Sequence, residues 1–365
     1  MCPVTQSVIP WGTYKETPVF LYEISNPSGL SLSVCEYGGI LQSLRFLDAF
    51  GTMRDLVLGY DNLFDYQNDN NCLGASIGPI ADLVVNGQTI LDNRKIRLQQ
   101  NTNGHCLHSG PAGFHKKLWQ GTSIPDGVCL NALFSEEETG LPGHLDASIT
   151  YRILSGDSFQ ILFSAVCDKE TALSFTNHSF FHLAPPTYNQ TGIKSALSSI
   201  NGHFLQIYSD YYESLDKNGL PSGNYFPVNE SSLDFTRPRA LCEVLFPLSS
   251  MLYTSGGIDH FFPIPGIGLR PMAELSSPDT GLRLTCFSDM PGLLVYTANN
   301  LPSIKGKQKI IYNRHTAICL EPQAPPNAVN VPSQRNLVLL QSGQVYHREI
   351  RYVLSRFSPD RNTEL

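Results

Sequence analysis

Apolar and polar residues alternate with a period of two along most of this chain, and helical periodicity is almost absent. Leu30, Leu32 and Val34 alternate with serines directly after a Pro- and Gly-containing turn, and Phe159 to Cys167 has the pattern of one long strand. Such alternation places one set of side chains against a core and the other set on the opposite face of a sheet. The pattern predicts an all-β chain, folded as a large antiparallel β-sandwich with long loops.

Short apolar runs bounded by turn residues extend this prediction to the rest of the chain. The sequence Val84-Val85-Asn86-Gly87 and the sequence Ile90-Leu91-Asp92-Asn93 place two tight turns a few residues apart, as in a β-meander. The best candidate for a helix is a short one around Asn62 to Gln67. Further strands are predicted over Leu282 to Phe287, Leu293 to Thr297 and Thr316 to Leu320.

The length of the chain, 365 residues, is compatible with one large or two ordinary domains. The 25 prolines and 29 glycines are spread along the chain instead of being gathered into one linker. Pro185–Gly192 is the best candidate boundary, yet it is short and strand-like sequence follows it at once. We therefore predict a single domain over residues 1–365.

Charge and cysteine content restrict the partners and the compartment. The formal net charge is −7 without a basic run, which argues against nucleic-acid binding. No stretch approaches 18 uncharged apolar residues, so no membrane span is expected, and Met1 to Pro18 has no apolar core of a signal peptide. Nine widely spaced cysteines, an odd number without a C-x-x-C motif, indicate reduced thiols and a cytoplasmic protein.

Two polar residues stand out because apolar sequence surrounds them. His178 follows Asn177 in a run that is otherwise aromatic and apolar, where it is either a core residue with both ring nitrogens satisfied or a functional group. Glu321 ends an apolar strand and precedes a proline, which places it either at an exposed strand end or in a pocket.

Other polar residues extend this set without forming a metal motif. His108 lies in a Gly- and His-rich segment, and Asp259 and His260 precede two phenylalanines, although Asp259-His260 could equally be a turn. His178 and His182 would be roughly 13 Å apart on a strand, too far to share an ion. Because nucleophile, phosphate-loop and dinucleotide motifs are absent, acid–base chemistry remains, and we expect neither a metal nor a cofactor.

These residues belong to an ordered series of landmarks that resembles the aldose 1-epimerase (galactose mutarotase) family over nearly the whole chain. The Asn-His-Ser-aromatic-Phe run and the Glu-x-Gln run followed by Asn-Ala-Val-Asn are the most specific landmarks. In chain order the landmarks are Tyr37-Gly38-Gly39, Asp55 to Tyr60, Leu73 to Gly78, Cys106 to Gly110, Gly113-Phe114, Leu118-Trp119, Thr176 to Leu183, Gly257 to His260, Pro291-Gly292, Tyr296-Thr297, Leu320 to Gln323 and Asn327 to Asn330.

The resemblance implies a β-sandwich of the mutarotase type that interconverts α and β anomers of a hexose without a cofactor. It suggests His178 as the general acid on the ring oxygen and Glu321 as the base on the anomeric hydroxyl. His108 and Asp259 would then bind and polarise the substrate. Opening a hemiacetal requires one proton removed from O1 and one delivered to O5, so we expect an acid and a base that face each other across the ring.

Three positions depart from the family pattern. Where the family usually continues Arg-Val-Ala-Asn-Arg, this chain has Pro79 to Leu83, so Asp82 replaces the asparagine and Leu83 replaces the second arginine. Leu294 stands where the family usually presents a glutamine that contacts the sugar. The acid–base residues are retained, but the pocket becomes more apolar and part of the sugar-binding set is lost.

Three functional hypotheses follow. The first is an isomerase with mutarotase chemistry, acting on a small-molecule substrate with free hexose as the default. The second is a repurposed enzyme of specialised metabolism that cyclises, eliminates or isomerises a less polar molecule. The third is a non-catalytic carbohydrate-binding protein, against which the retention of both His178 and Glu321 argues, because binding alone needs no paired acid and base.

Overall fold

The computed structural model describes residues 4–186 and 196–358, and strands dominate both segments. Three sheets contain most of the strands: a nine-stranded, a five-stranded and a four-stranded sheet. Neighbouring strands in these sheets run antiparallel. The predicted all-β class is confirmed.

In chain order the first fifteen strands are β1 (Thr5–Tyr14), β2 (Thr17–Ser25), β3 (Ser31–Cys35), β4 (Ile40–Leu47), β5 (Met53–Asp55), β6 (Ser76–Ile77), β7 (Leu83–Val84), β8 (Gln88–Leu91), β9 (Arg94–Arg97), β10 (Cys106–Leu107), β11 (Gln120–Ile124), β12 (Gly127–Phe134), β13 (Leu145–Ile153), β14 (Ser158–Cys167) and β15 (Thr171–Ala172). The other strands are β16 (Thr176–Asn177), β17 (Phe180–Phe181), β18 (Phe204–Ile207), β19 (Tyr211–Leu215), β20 (Pro221–Pro227), β21 (Arg239–Ala240), β22 (Asp259–Pro263), β23 (Arg270–Ser277), β24 (Leu282–Ser288), β25 (Gly292–Tyr296), β26 (Ile304–Lys305), β27 (Ile311–Tyr312), β28 (Ile318–Gln323), β29 (Leu339–Leu340) and β30 (Val345–Arg356). Three short α-helices are α1 (Leu63–Gln67), α2 (Glu136–Thr139) and α3 (Cys242–Leu245).

The nine-stranded sheet forms one layer, in the order β11-β12-β13-β14-β30-β24-β23-β18-β21. Strand β14, the fourth in this order, coincides with the predicted strand, and Phe159, Ile161, Phe163 and Ala165 are all buried on one face. The same alternation in β13 and β24 explains why the sheet has one continuous apolar face.

The five-stranded sheet β1-β2-β3-β4-β5 and the four-stranded sheet β17-β28-β25-β22 supply the apolar surface that covers this face. The largest core cluster joins Ile149 and Phe163 of the nine-stranded sheet with Leu32 of the five-stranded sheet and Leu293 of the four-stranded sheet. The four-stranded sheet therefore presents one face to the core and leaves its other face available for a site.

Local predictions are also confirmed. The predicted helix is α1, capped by Asn62, whose side chain accepts a hydrogen bond from the Asp65 backbone N–H. Both predicted turns are present: Asn86 has a positive φ of 59°, and the turn between β8 and β9 has positive φ at Asp92 and Asn93. Asparagine and aspartate tolerate this backbone conformation better than most residues, which is why the turn signal was readable.

The strands predicted near residues 282, 293 and 316 are β24, β25 and β28, with the last beginning two residues later than predicted. Most of the candidate boundary Pro185–Gly192, from Thr187 onward, lies outside the described residues. The eight cysteines within the described residues are all unpaired, as expected for reduced thiols. Among the helices of the described residues, none combines the length and apolarity that crossing a membrane requires.

Candidate active site

The register of the four-stranded sheet places three sequence-distant residues side by side. Phe261 of β22 is paired with Leu294 of β25, and Leu294 is paired with Glu321 of β28. Because side chains alternate across a strand, Asp259 lies on the same face as Phe261, two residues earlier. The neighbouring His260 points to the opposite, buried side and is not part of this set.

His178 lies in the break between β16 and β17. The run Thr176 to Leu183 therefore contains two short strands and not one. Its backbone is held on both sides, because its N–H donates to the Ala75 carbonyl at 2.8 Å and its carbonyl accepts from the Gly74 N–H at 2.9 Å. The buried Asn177 amide donates to the Gly74 carbonyl and to the Tyr151 hydroxyl, both at 3.1 Å. These bonds fix the backbone from which the imidazole projects.

His108 and Asp82 are brought together by the pairing of β7 with β10. The His108 N–H donates to the Asp82 carbonyl at 2.9 Å, and the Asp82 N–H donates to His108 Nδ1 at 3.1 Å. A ring nitrogen that accepts a hydrogen bond carries no proton, so the neutral imidazole holds its proton on Nε2. Burial also lowers the pKa of His108 well below its usual value, which keeps this ring a neutral donor.

One cavity of about 310 Å³ collects most of the predicted site residues. Of the seven residues singled out from the sequence, six line it: Asp82, His108, His178, Asp259, Leu294 and Glu321. Leu83 does not line it but lines an adjoining cavity, so its replacement of an arginine changes the neighbouring space more than the space beside Glu321.

The His178 and Glu321 side chains are adjacent, with 3.6 Å between Nε2 and Oε1. We expected the acid and the base to face each other from opposite sides of the substrate ring, but a ring does not fit between two groups this close. Adjacent placement still serves hemiacetal opening, since O1 and O5 are both bonded to C1 and lie close together. Both Glu321 oxygens are buried without a hydrogen-bond partner among the described residues, so they are available for a ligand.

Burial favours the neutral form of both groups. It raises the pKa of Glu321 well above its usual value, with the nearby charges of Asp82 and Asp259 adding to the rise. It lowers the pKa of His178 to about 4, an effect that the hydrogen bond of the backbone opposes. Burial therefore disfavours the charged form of each member of the pair.

Two further carboxyl groups give the cavity an acidic lining. Burial raises the pKa of Asp259 to about 7, with a contribution from the charge of Asp82. Burial likewise raises the pKa of Asp82 to about 6, an effect that the nearby Leu83 backbone and Gln323 side chain oppose. Among the described residues that line the cavity, none is lysine or arginine.

Cys319 is the third member of a group that could reach one metal ion, because donor atoms of Cys319, His178 and Glu321 all lie within 4.8 Å of one another. The thiol sulfur lies 3.5 Å from His178 Nδ1, whereas the carboxylate is next to Nε2. The two candidate ligands therefore approach different nitrogens of the same ring. His182 is elsewhere: its Nε2 pairs with the Ser198 carbonyl at 3.1 Å. The absence of a metal requirement remains a prediction.

Some residues in or beside the two cavities were not singled out as site residues. Cys319 lies two residues before Glu321 in β28 and therefore on the same face, so strand periodicity could have identified it. Tyr296 and Asn300 line the same cavity, where the Asn300 N–H donates to the Tyr296 hydroxyl at 2.9 Å. Glu213 lines the adjoining cavity, and its surroundings resemble an ordinary half-exposed strand, which gave no signal.

Comparisons with known proteins agree with this geometry. The family model described as aldose 1-epimerase matches residues 21–353. A human galactose mutarotase is 30% identical over 319 residues, which cover 87% of this chain and 89% of that protein. An aldose 1-epimerase from Haemophilus influenzae is 28% identical over 320 residues, covering 87% of this chain and 90% of that protein.

The fold shows the same relationship. The crystal structure of an aldose epimerase homologue from C. elegans superposes with a TM-score of 0.83 at 25% identity, covering 96% of this chain and 99% of that one. A galactose 1-epimerase from Lactobacillus acidophilus superposes with a TM-score of 0.82, covering 97% and 99% of the two chains at 23% identity, a level at which it supports the fold alone. The chain therefore belongs to the aldose 1-epimerase family of isomerases.

Proposed function

We propose that this protein catalyses the opening and reclosure of a cyclic hemiacetal, interconverting its α and β anomers, with His178 and Glu321 as the acid–base pair. The observation that carries this proposal is the 3.6 Å approach of a neutral imidazole to a buried carboxyl group whose oxygens have no partner among the described residues. A purely structural carboxyl at this depth would be expected to have hydrogen-bond partners.

The pair moves protons between O1 and O5 of the substrate. In the opening step, one member removes the proton from O1, the C1–O5 bond breaks, and the other member delivers a proton to O5. Rotation about C1–C2 turns the aldehyde over, and reclosure returns both protons with the roles reversed. The family resemblance assigns the acid role on O5 to His178 and the base role on O1 to Glu321, and microscopic reversibility requires each residue to serve in both directions. These starting roles need the single proton of the pair on His178, a form with the same number of protons as the neutral pair.

His108 and Asp259 would orient the ring. The neutral His108 can present an Nε2 proton to a hydroxyl oxygen, while the Asp259 carboxyl can accept from a hydroxyl. The His108 ring centroid lies 5.4 Å from that of His178 in an edge-to-face contact, which places it next to the acid–base pair. No cofactor enters this scheme.

Free hexose is the default substrate, and the departures at Leu83 and Leu294 predict that it binds weakly. We expect a poor kcat/KM on glucose and galactose dominated by a high KM, since each lost charged hydrogen bond changes affinity roughly ten- to hundredfold. The variant Leu83→Arg with Leu294→Gln should improve hexose turnover, because it restores the two side chains that hold sugar hydroxyls in the family pattern. Polarimetry of freshly dissolved α-glucose and α-galactose measures both proteins.

The same assay tests the proposed function itself. The wild type should accelerate the approach to anomeric equilibrium above the rate in buffer. Two results together would show that the apolar replacements do not limit sugar binding. The wild type would be as efficient on hexoses as its relatives, and the double variant would be no better than the wild type. Absence of mutarotation for every sugar tested would contradict the function.

The pH profile distinguishes which residue holds the proton in the free enzyme. The active pair carries one proton, so kcat/KM should rise as the pH increases through about 4, where the second proton leaves His178. It should fall only when Glu321 loses the remaining proton, above the ordinary range of a carboxyl group, because burial raises that pKa. Profiles at two temperatures show which residue causes the alkaline limb. The ionisation enthalpy of a carboxyl group is small, so its pKa changes little with temperature, whereas the pKa of an imidazolium group changes clearly. An alkaline limb that shifts with temperature like an imidazole would refute it.

The apolar replacements favour one second candidate, an enzyme of the same acid–base type that acts on a less polar ring than a hexose. Leu294 is paired directly with Glu321 across the sheet, so the wall beside the acid–base pair offers no hydrogen bond at that position. A hydroxyl directed at this wall would lose its partner, whereas an apolar group would not.

A further inference from the structure

A second cavity of about 300 Å³ adjoins the candidate active site, and the two have common walls. Asp82, Asp259, Leu294 and Asn300 line both cavities, so the space is continuous from Glu321 into the second cavity. Together the two volumes lie within the range of about 300–1,000 Å³ that is typical of pockets for drug-sized ligands. The site is thus built for a molecule larger than a ring that fills only the space beside the acid–base pair.

The second cavity has polar walls, which include Asp82, Asp259 and Asn300, and it also has one wall of apolar side chains. Leu83, Phe261 and Leu294 line it from the side of the sheet, and Leu215 and Leu220 line it from the hairpin of β19 and β20. Leu83 and Leu294 are almost fully buried, so neither is an exposed surface leucine. Apolar area removed from water is worth about 25 cal/mol per Å², which favours an apolar group at this place.

The Glu213 carboxyl group lines the second cavity without a complete set of hydrogen-bond partners. Glu213 is only 1% exposed, and its Oε1 accepts a hydrogen bond from the Gly223 N–H at 2.8 Å. Its Oε2 has no hydrogen-bond partner among the described residues. The nearby Gln334 amide nitrogen does not complete this oxygen, because it donates to the Tyr225 hydroxyl at 2.9 Å. Gln334 lies close enough to Glu213 to lower the pKa of its carboxyl group slightly.

An unsatisfied buried oxygen is costly, so its retention points to a ligand that completes it. The group that fits is a hydrogen-bond donor at the end of an arm with apolar surface, because the leucines and Phe261 form one wall of the cavity that also contains Glu213. Burial raises the pKa of Glu213 to about 7, yet its second oxygen can accept a hydrogen bond in either protonation state.

We propose that the substrate ring carries an apolar arm that lies in the second cavity and ends in a hydrogen-bond donor to Glu213. This proposal rests on the proposed function for the position of the ring, and it names the substrate class: a cyclic hemiacetal with a large apolar substituent, not an unsubstituted hexose. The arm replaces the hydroxyl contacts that Leu83 and Leu294 cannot make.

Binding measurements on the whole protein test the apolar arm without relying on turnover. The probes are glucose and its benzyl ethers at O2, O3, O4 or O6, all with a free anomeric hydroxyl, measured by isothermal titration calorimetry. At least one ether should bind tenfold or more tightly than glucose. Leu215→Asn should remove most of that gain and leave glucose affinity unchanged, whereas the exposed control Leu133→Asn should change neither. If every ether binds no better than glucose, or the gain survives in Leu215→Asn, the arm proposal is wrong.

A second comparison tests Glu213. The ether that binds best is extended to its 4-(hydroxymethyl)benzyl form, which adds one donor, and is titrated against the wild type and Glu213→Gln. The donor should improve binding to the wild type at least fivefold, and Glu213→Gln should abolish this increment while binding the plain benzyl ether normally. No increment in the wild type would overturn the role of Glu213. Leu220→Asn replaces Leu215→Asn if the latter fails to fold.

The proposed reaction and the proposed substrate arm can be contradicted separately. If the ethers bind through the second cavity but none undergoes mutarotation, the substrate arm stands and the proposed reaction falls. If the sugars undergo mutarotation and no ether binds better than glucose, the reaction stands and the arm falls.

Discussion

Replacing Glu321 by Gln, or His178 by Asn, should lower kcat by about 10²–10⁴-fold for each variant. Each change removes one proton-transferring group and keeps nearly the same shape. His178 is held by backbone hydrogen bonds to Ala75 and Gly74, so the fold should not depend on its ring. Single-turnover or polarimetric rates on the best substrate, together with calorimetric binding, separate lost chemistry from lost binding.

The matched controls are His144→Asn and Glu243→Gln, the same chemical changes at exposed positions. Both controls should retain wild-type kcat. A Glu321→Gln or His178→Asn protein that turns over like the wild type would remove that residue from the acid–base pair. Equal losses in the active-site variants and the controls would indicate an indirect effect.

Replacing Lys307 by Met should lower the free energy of unfolding by about 3–5 kcal/mol, the usual consequence of removing one partner of a buried ion pair. Lys307 Nζ lies 2.9 Å from Asp55 Oδ2 and also donates to the Val57 carbonyl at 3.0 Å, and both side chains are buried. Asp55 additionally accepts hydrogen bonds from Ser43 and Leu44, so it would remain buried with its charge uncompensated. Urea unfolding with comparison of midpoints and slopes measures the loss.

The control is Lys169→Met, which breaks an exposed ion pair with Glu136 at 2.8 Å. Such exposed pairs contribute little to stability because water screens them and both side chains lose freedom. The double variant Asp55→Asn with Lys307→Met should recover part of the loss, since no buried charge remains. A Lys307→Met protein as stable as Lys169→Met would show that the buried pair does not support the fold.

Much of the fold was predictable because the signals are local. Strand alternation at Phe159 to Cys167 reflects a sheet with one buried face, and the α1 helix was marked by its Asn62 cap. Turns at Asn86 and at Asp92-Asn93 were marked by residues that tolerate positive φ. Each of these features depends on a few neighbouring residues and needs no long-range contact.

The sequence by itself also determined the chemical equipment of the site. His178, Glu321, His108 and Asp259 were identified from their apolar surroundings and from the family landmarks, and the loss of polar groups at Leu83 and Leu294 was visible in the same way. Residue type decides which protons can be exchanged, and residue type is what a sequence states.

Only the tertiary structure decided how these groups meet. Strand pairing placed Phe261, Leu294 and Glu321 in one row, and it set the 3.6 Å approach of Glu321 to His178 where opposite faces of a ring were expected. Leu83 lies in the neighbouring cavity beside Glu213, whose burial results from the packing of β19 against β22. Register and packing join residues far apart in the chain, and burial then shifts their proton affinities. Neither effect is encoded in any short stretch of residues.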